Sequence, residues 1–258
     1  VLLEHDPSLL IHIQNLMMAW KGFWSQNLKH KEGFFFEKNG GYEYKDETQP
    51  DYKENFHVSL AYDPPKDIET SIDVQFLFCA KKLILESELL VRDIASIMGQ
   101  GSKFDLEKLV LDDMQTWQLR CLHYPPRPEN LGKPFLAIPH IDKGITIHFA
   151  EDRPGLEVYW HDKWQEADMM ANHVLSYPGM LGQYYSECRF PALDHRVRSL
   201  PDTCRYGRDS IVMFIDFGDV RYNKKEFGST QERFPNGENY NMSFSEFEKY
   251  FSAIGIRN

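Results

Sequence analysis

Two residues whose side chains commonly bind metals stand close together in the stretch "AIPHIDKGITIHF". His140 and Asp142 are two positions apart, and residues two apart in an extended chain point to the same face. An imidazole nitrogen and a carboxylate oxygen can therefore reach one ion. His195, in "LDHRV" on a later predicted strand, is the candidate third ligand. The spacing predicts a metal site with three protein ligands.

Two kinds of metal chemistry fit this ligand set. Two histidines and one carboxylate form the facial triad of non-haem Fe(II) sites, which leaves three coordination positions open. Three ligands and an open position also fit the zinc of a hydrolase. The other histidines of this region are predicted to be structural: His148, His161 and His173.

A candidate anion site follows downstream in "GRDSIVMF". Arg208 and Ser210 are again two positions apart on a predicted strand, so their side chains share a face. A guanidinium beside a hydroxyl suits a carboxylate, which arginine binds with two parallel hydrogen bonds. Arg196 and Arg198 flank the candidate histidine ligand. Strand alternation directs Arg196 away from the metal, and both arginines are predicted to form a solvated face.

The overall composition fits an ordinary soluble globular protein. Its 258 residues are 42% hydrophobic and 26% charged, and the formal net charge is -10. That acidic balance argues against a nucleic-acid partner, which requires a basic face. The four cysteines form no CxxC pair, so a reducing, cytoplasmic setting is expected. No apolar run is long enough to suggest a membrane partner, and no secretory signal is recognised.

The periodicity of the chain changes from helical to strand-like near Thr116. Upstream, apolar spacing predicts a helix capped by Ser8, a long helix closed by Gly99 and a short helix that begins at Asp105. Downstream, short β-branched and aromatic runs separated by turns predict a sandwich or barrel. We predict one integrated domain in three parts: a helical and loop region packing on the core (1–115), a β core (116–220) and a tail with one helix, "SFSEFEKYFSAIG" (221–258).

Several motifs together resemble a known superfamily. The segments "PHID", "RPGLEVYWHDKWQEA", "PGMLGQYYS", "DHRV" and "RDSIVMF" follow the order and spacing of the Fe(II)/2-oxoglutarate-dependent dioxygenases. The upstream segments "DYKENFHVS" and "WQLRCLHYPP" resemble its isopenicillin N synthase-like branch, which includes gibberellin and flavonoid oxidases. The resemblance covers about residues 42 to 220.

The resemblance implies a mainly β fold with flanking helices, whose core is a double-stranded β-helix, or jelly roll, with iron at its open end. It implies that the iron ligands are His140, Asp142 and His195. It further implies that the far carboxylate of 2-oxoglutarate is held by Arg208 and Ser210, and that the cosubstrate is also contacted by Tyr124.

The chemistry implied for the superfamily uses Fe(II), 2-oxoglutarate and dioxygen. The cosubstrate is decarboxylated to succinate and CO2 while a small molecule is hydroxylated, desaturated or cyclised. The protein fixes the ligands, orients the substrate and excludes water. The expected pocket is apolar and aromatic, with candidate walls at Phe135, Ile138, Ile147 and Phe214.

Three departures separate this chain from the usual pattern of the branch. Leu122 stands where the family often has asparagine, two residues before Tyr124. The loop between His195 and Arg208 is slightly longer than usual, and the segment that opens the family's fold is not recognised ahead of Val1. Two alternatives therefore stay open beside the zinc hydrolase: an Fe(II) oxidase of the same fold that needs no 2-oxoglutarate, and a jelly-roll binding protein without turnover.

Overall fold

The computed structural model describes most of the chain up to residue 217 and short pieces beyond it. The described residues are 1–37, 40–46, 48, 52–127, 134–170, 172–187 and 189–217, with the backbone of 230–233 and 239–242. The predicted helix in "SFSEFEKYFSAIG" lies outside the described residues.

Antiparallel strands of the described residues form two main sheets. The larger sheet has seven strands in the order β1 (Leu2–Glu4), β9 (His173–Pro178), β6 (Ile145–Glu151), β11 (Arg208–Ile215), β4 (Gln118–Tyr124), β3 (Lys53–Val58) and β2 (Gly40–Lys45). The smaller sheet has four strands in the order β5 (Phe135–His140), β10 (His195–Arg198), β7 (Leu156–Trp160) and β8 (Lys163–Glu166). A separate pair is formed by β12 (Thr230–Arg233) and β13 (Asn239–Met242). The β core predicted after Thr116 is present as β4 to β11.

Helices cover one face of the larger sheet or connect its strands. They are α1 (Pro7–Trp24), α2 (Leu28–Glu32), α3 (Ser71–Glu86), α4 (Glu88–Gly99), α5 (Leu106–Asp112), α6 (Met180–Tyr185) and α7 (Pro201–Tyr206). Within the described part of the chain, none of these helices has the length and apolarity needed to span a bilayer.

Two details of the helices differ from prediction. Asp6, rather than Ser8, caps α1, and its side chain accepts a hydrogen bond from the Ser8 backbone amide. The long helix predicted up to Gly99 is two helices that meet at Ser87. The buried Ser87 hydroxyl donates to the Leu83 carbonyl at 2.7 Å, and such bonds to the preceding turn compete with the regular helical pattern.

Strand alternation divides the apolar residues of the larger sheet between two cores. On β11, Ile211, Met213 and Ile215 face the helices, whereas Val212 faces the interior between the two sheets. The core between the larger sheet and the helices is called the outer core below. Trp20 of α1 packs in it, and the Trp20 indole N–H donates to the Leu122 carbonyl at 3.3 Å. Because successive strand residues point to opposite faces, the even-numbered residues of β11 are left to line the jelly-roll interior.

The tip of the smaller sheet is the hairpin that "YWHDKWQEA" predicts. Trp160 pairs with Lys163, so His161 and Asp162 form a two-residue turn. Both turn residues have positive φ, 51° and 61°. A type I′ turn requires positive φ at both positions, and its twist matches that of the strands it joins.

Candidate metal centre

The three predicted ligands come together between the two sheets. His140 ends β5, His195 begins β10, and the two residues are direct partners across the strand pair. His140 Nε2 lies 3.6 Å from Asp142 Oδ1, and His195 Nε2 lies 3.4 Å from Asp142 Oδ2. One ligand atom from each of the three side chains lies within 4.8 Å of the others. Ligands about 2.1 Å from an ion and at right angles to one another are about 3 Å apart, so small side-chain shifts suffice to hold a metal.

Hydrogen bonds around the ligands orient them for metal binding. His140 Nδ1 is 2.7 Å from the Ile138 carbonyl, and His195 Nδ1 is 3.3 Å from the Leu193 carbonyl. A carbonyl only accepts, so Nδ1 carries the proton in each ring and the lone pair that can bind an ion is on Nε2, the nitrogen nearer Asp142. These bonds to the second nitrogen are typical of histidine ligands, and the donor set therefore fits a divalent metal.

The Asp142 carboxylate stays ionised despite its burial. Burial alone would raise its pKa, but His195 and His140, together with the Thr146 hydroxyl, hold the pKa below its ordinary value. Thr146 donates to Asp142 Oδ2 at 2.7 Å. The ionised carboxylate is the form that coordinates a metal.

The short helix α6 anchors both segments that carry ligands. At its start, the Met180 amide donates to the Asp142 carbonyl at 2.9 Å, and the Gly179 amide donates to the Gly144 carbonyl at 2.6 Å. A Cβ at Gly179 would lie 2.2 Å from the Asp142 carbonyl oxygen, so a side chain there would displace the loop. The buried Gln183 side chain accepts, through Oε1, a hydrogen bond of 2.7 Å from the Ala192 backbone amide, three residues before His195. The motif "PGMLGQYYS" thus positions the ligand loops.

A cavity of about 560 Å³ joins the candidate metal and anion sites. Among its lining residues are all six that the sequence predicts for the site: Tyr124, His140, Asp142, His195, Arg208 and Ser210. Of the four predicted wall residues only Phe214 lines the cavity. Ile147 is part of the outer core, because alternation with the cavity-lining His148 directs it away from the interior. Ile138 is 45% exposed, because the pairing of β5 with β10 is irregular here and Ala137 and His140 line the cavity instead. Phe135 packs instead against the Arg196 guanidinium, 4.9 Å from its ring centre.

The Arg208 side chain is fully buried beside Tyr124. The two residues are direct partners across β11 and β4, and the guanidinium carbon lies 5.9 Å from the tyrosine ring centre. Arg208 Nε donates to the Arg153 carbonyl at 3.0 Å. Ser210, two residues further along, is also buried. The predicted arrangement of arginine, serine and tyrosine on one wall is therefore present.

Sequence reasoning missed a carboxylate that already contacts this arginine. Arg208 Nη2 forms an ion pair with the Glu151 carboxylate at the end of β6. Burial raises the pKa of Glu151, although the Arg208 charge opposes the rise. His148 Nε2 also approaches Glu151 Oε2, at 3.5 Å. The two strands pair with a register shift near Ile211, so no local sequence pattern signals the contact.

The arginines beside His195 point away from the cavity, as strand alternation predicts for Arg196. Only Arg198 is solvated as predicted, with 52% of its side chain exposed, whereas Arg196 is 19% exposed. Arg196 Nε donates to Glu157 at 2.6 Å and the guanidinium lies 4.0 Å from the Trp164 ring centre. Arg198 binds the same carboxylate at 3.3 Å. Glu157 thus pairs with both arginines within the smaller sheet and offsets one of their two positive charges.

A second polar group lines the end of the cavity formed by β2, β3 and β4. His57 is buried, and its Nδ1 accepts from Arg120 Nε at 3.4 Å. His57 Nε2 lies 3.7 Å from Glu43 Oε2. Burial, together with the Arg120 charge, lowers the pKa of His57 to about 4. Sequence reasoning missed this group because its members lie on three different strands.

Lowering the pH is expected to destabilise the protein through His57. The unfolded chain gains a proton near pH 6.5 that the folded His57 accepts only near pH 4, so folding becomes less favourable as the pH falls between these values. The free energy of unfolding should drop by about 2 kcal/mol from roughly pH 7 to pH 5 on this account. In urea unfolding, the free energy of unfolding of His57→Gln should fall over this pH range by about 2 kcal/mol less than that of wild type. His12→Gln, on α1 outside the cavity, is the control, and its free energy of unfolding should fall with pH as that of wild type does. The same fall in all three proteins would contradict the assignment to His57.

Comparisons with known proteins agree with this geometry. No family model matches the chain. The Arabidopsis thaliana protein gibberellin 2-beta-dioxygenase 8 is 28% identical to it over 164 residues, which are 61% of this chain and 46% of that protein. The chain therefore matches somewhat less than half the length of this curated relative.

Solved structures show the same fold. A full-length Neurospora crassa protein in complex with alpha-KG and 5-formyluracil has a TM-score of 0.72 and 21% identity, covering 98% of this chain and 85% of that chain. The Arabidopsis thaliana dioxygenase for auxin oxidation 1, solved with 2-oxoglutarate, has a TM-score of 0.64 and 18% identity, covering 83% of this chain and 81% of that chain.

The chain has the jelly-roll fold of the Fe(II)/2-oxoglutarate-dependent oxygenases, with a His-Asp-His group at the place where the two sheets meet. The curated relative, named as a dioxygenase, supports the resemblance that the sequence motifs carry, and the solved structures show the same fold.

Proposed function

We propose that this chain is a non-haem Fe(II) and 2-oxoglutarate-dependent oxygenase that acts on a small molecule. The observation that carries the proposal is the convergence of three oriented ligands and a buried arginine in one cavity. The sequence motifs favour the isopenicillin N synthase-like branch. The cysteines among the described residues, Cys79, Cys121 and Cys204, are free thiols, which supports a reducing, cytoplasmic setting.

In this proposal each predicted site residue has a defined task. Fe(II) is held by His140, Asp142 and His195, and when bound it supplies the redox chemistry that activates dioxygen. Arg208 and Ser210 bind the far carboxylate of 2-oxoglutarate and so fix its distance from the ion. Tyr124 closes the wall beside them. The buried apolar lining, which includes Leu156 and Val212, excludes water from the reaction.

Each alternative function lacks support from some part of the cavity. A zinc hydrolase would use the three ligands but gives no role to Arg208 and Ser210. A binding protein without turnover would not need three ligands oriented through their second nitrogens. An Fe(II) oxidase that needs no 2-oxoglutarate uses the same residues, with Arg208 bound to a different anion. It is the second candidate, because Glu151 already neutralises this arginine.

Anaerobic reconstitution tests the proposed function directly. Fe(II) is added to the metal-free protein, followed by 2-oxoglutarate, and the visible spectrum is recorded. A charge-transfer band that needs both additions supports the proposal. A protein that binds Fe(II) but develops no band, and that forms no succinate in air, would favour the oxidase.

Glu151→Gln is expected to tighten the binding of 2-oxoglutarate. Glutamine keeps the size of the side chain but leaves the Arg208 charge without its partner, which costs about 3–5 kcal/mol in a buried pair. A bound carboxylate can supply the missing charge. The free variant should therefore unfold at a lower temperature than wild type, and saturating 2-oxoglutarate should restore most of the loss. Calorimetric titration should show affinity that is higher by on the order of tenfold.

Glu157→Gln is the matched control for this experiment. Glu157 is 8% exposed and pairs with arginines, but it does not line the cavity. Its replacement should destabilise the protein without changing the affinity for 2-oxoglutarate. Weaker binding of 2-oxoglutarate to Glu151→Gln than to wild type would show that Glu151 assists the anion site instead of competing for it.

A further inference from the structure

The cavity contains a second, half-buried arginine at a distance from the first. Arg120, Leu122 and Tyr124 alternate along β4, and all three line the cavity. Tyr124 lies opposite Arg208 on β11, whereas Arg120 lies opposite Val212. The two arginines are thus separated by four residues along the sheet, or about 13 Å at ~3.3 Å per residue.

Arg120 has no carboxylate partner in the part of the chain that the structure describes. Its Nε contacts His57 at 3.4 Å, and its guanidinium stacks on the Phe214 ring at 4.4 Å from the ring centre. Neither contact carries a negative charge. The guanidinium remains protonated, because arginine does not lose its charge in proteins.

The acidic residues of this cavity already have cationic partners. Glu43 pairs with Lys45 at 3.4 Å, and Asp216 pairs with Lys143 at 3.8 Å. Asp142 lies between the two histidines of the triad. These three carboxylates also act on the Arg120 charge from farther away, but among the described residues none of them forms an ion pair with Arg120 within 4 Å. An enclosed charge of this kind is costly unless a ligand pairs with it.

A cosubstrate bound at Arg208 does not reach Arg120. Five carbons in a row, joined by bonds of about 1.5 Å, span about 6 Å at most, roughly half the separation of the two arginines. Leu122 and Val212 lie on the wall between the arginines, in the cavity that the triad also lines. The part of the cavity at Arg120 thus remains available to a second molecule.

We propose that Arg120 binds the carboxylate of the primary substrate, and that the substrate is a small organic acid whose carbon frame extends from Arg120 toward the metal. The proposal rests on the function proposed above. A guanidinium binds a carboxylate with two parallel hydrogen bonds, and the Phe214 ring holds its plane in place. The apolar wall at Leu122 and Val212 suits a hydrocarbon portion and presents it to the triad.

Matched acids and amides test this proposal without turnover. Phenylacetate and 3-phenylpropionate, with the corresponding primary amides, are titrated calorimetrically into the metal-free protein and into the protein reconstituted with Fe(II) and 2-oxoglutarate without oxygen. Wild type should bind at least one acid more tightly than its amide, by on the order of tenfold or more. Arg120→Gln should remove that preference, and Arg120→Lys should keep part of it, because lysine retains the charge without the planar fork.

Two controls separate the site from general charge effects. Arg198→Gln removes the same charge from a half-exposed side chain outside the cavity, and it should bind the probes as wild type does. Arg208→Ala should keep the preference for the acid. Thermal unfolding of each variant shows whether it folds. The comparison of acid with amide in wild type stands even where Arg120→Gln does not fold.

The proposal would be overturned if no acid binds wild type, if acid and amide bind equally, or if Arg120→Gln retains the full preference. Loss of the preference in Arg208→Ala would also overturn it, because the probe would then occupy the other arginine. Iron content and 2-oxoglutarate binding are measured on the same preparations. Their failure would overturn the proposed function and leave the acid preference at Arg120 as an independent result.

Discussion

Replacing His195 with alanine is expected to reduce bound Fe(II) from one equivalent to almost none while the protein stays folded. His195 contributes one of only three protein ligands, and its Nε2 lies 3.4 Å from the Asp142 carboxylate. Two remaining ligands do not hold an ion against chelation by buffer and water. Iron is measured after anaerobic reconstitution and desalting, with circular dichroism as the measure of folding. Asp142→Ala should behave in the same way.

His148→Ala is the matched control for the iron experiment. His148 is buried and lines the same cavity, but it is not among the three residues whose ligand atoms converge. The variant should retain one equivalent of iron. Full iron content in His195→Ala would contradict the assignment of the triad, and loss of iron in His148→Ala would place a different histidine at the metal.

Arg208→Ala should weaken 2-oxoglutarate binding by roughly a hundredfold while iron content is unchanged. The side chain is 1% exposed and presents its guanidinium to a closed part of the cavity. Breaking a buried charged pair costs about 3–5 kcal/mol. We expect the loss of binding free energy to lie near the lower end of this range, because Glu151 competes for the same guanidinium in the free protein. Calorimetric titration of 2-oxoglutarate into the anaerobic Fe(II) protein measures the effect.

Arg205→Ala controls for the loss of an arginine from the same segment. Arg205 is exposed on α7 and its guanidinium lies 5.1 Å from the Tyr206 ring centre. It does not line the cavity, so its loss should change 2-oxoglutarate affinity little. Equal losses of 2-oxoglutarate affinity in Arg208→Ala and Arg205→Ala would indicate that no single arginine defines the anion site. Unchanged affinity in both, in a protein that binds iron and consumes oxygen with some substrate, would favour the oxidase that needs no 2-oxoglutarate.

The sequence alone was enough to predict the features that depend on short-range periodicity. His140 with Asp142, and Arg208 with Ser210, are pairs two positions apart, and the alternation of a strand puts both members of such a pair on one face wherever the strand lies. The same alternation, with turn residues at regular intervals, predicted the β core. The long-range partner His195 came from the order and spacing of several motifs together, which carry more information than any one of them.

Only the tertiary structure decided which side chains meet across strands. Glu151 reaches Arg208 because β6 and β11 pair with a particular register and a shift near Ile211. Arg120 enters the cavity without an acidic partner because His57 stands opposite it on β3. A shift of one residue in pairing would reverse the faces of a whole strand. Register is set by the packing of the complete sheet, so the charges that surround a buried arginine do not follow from local sequence.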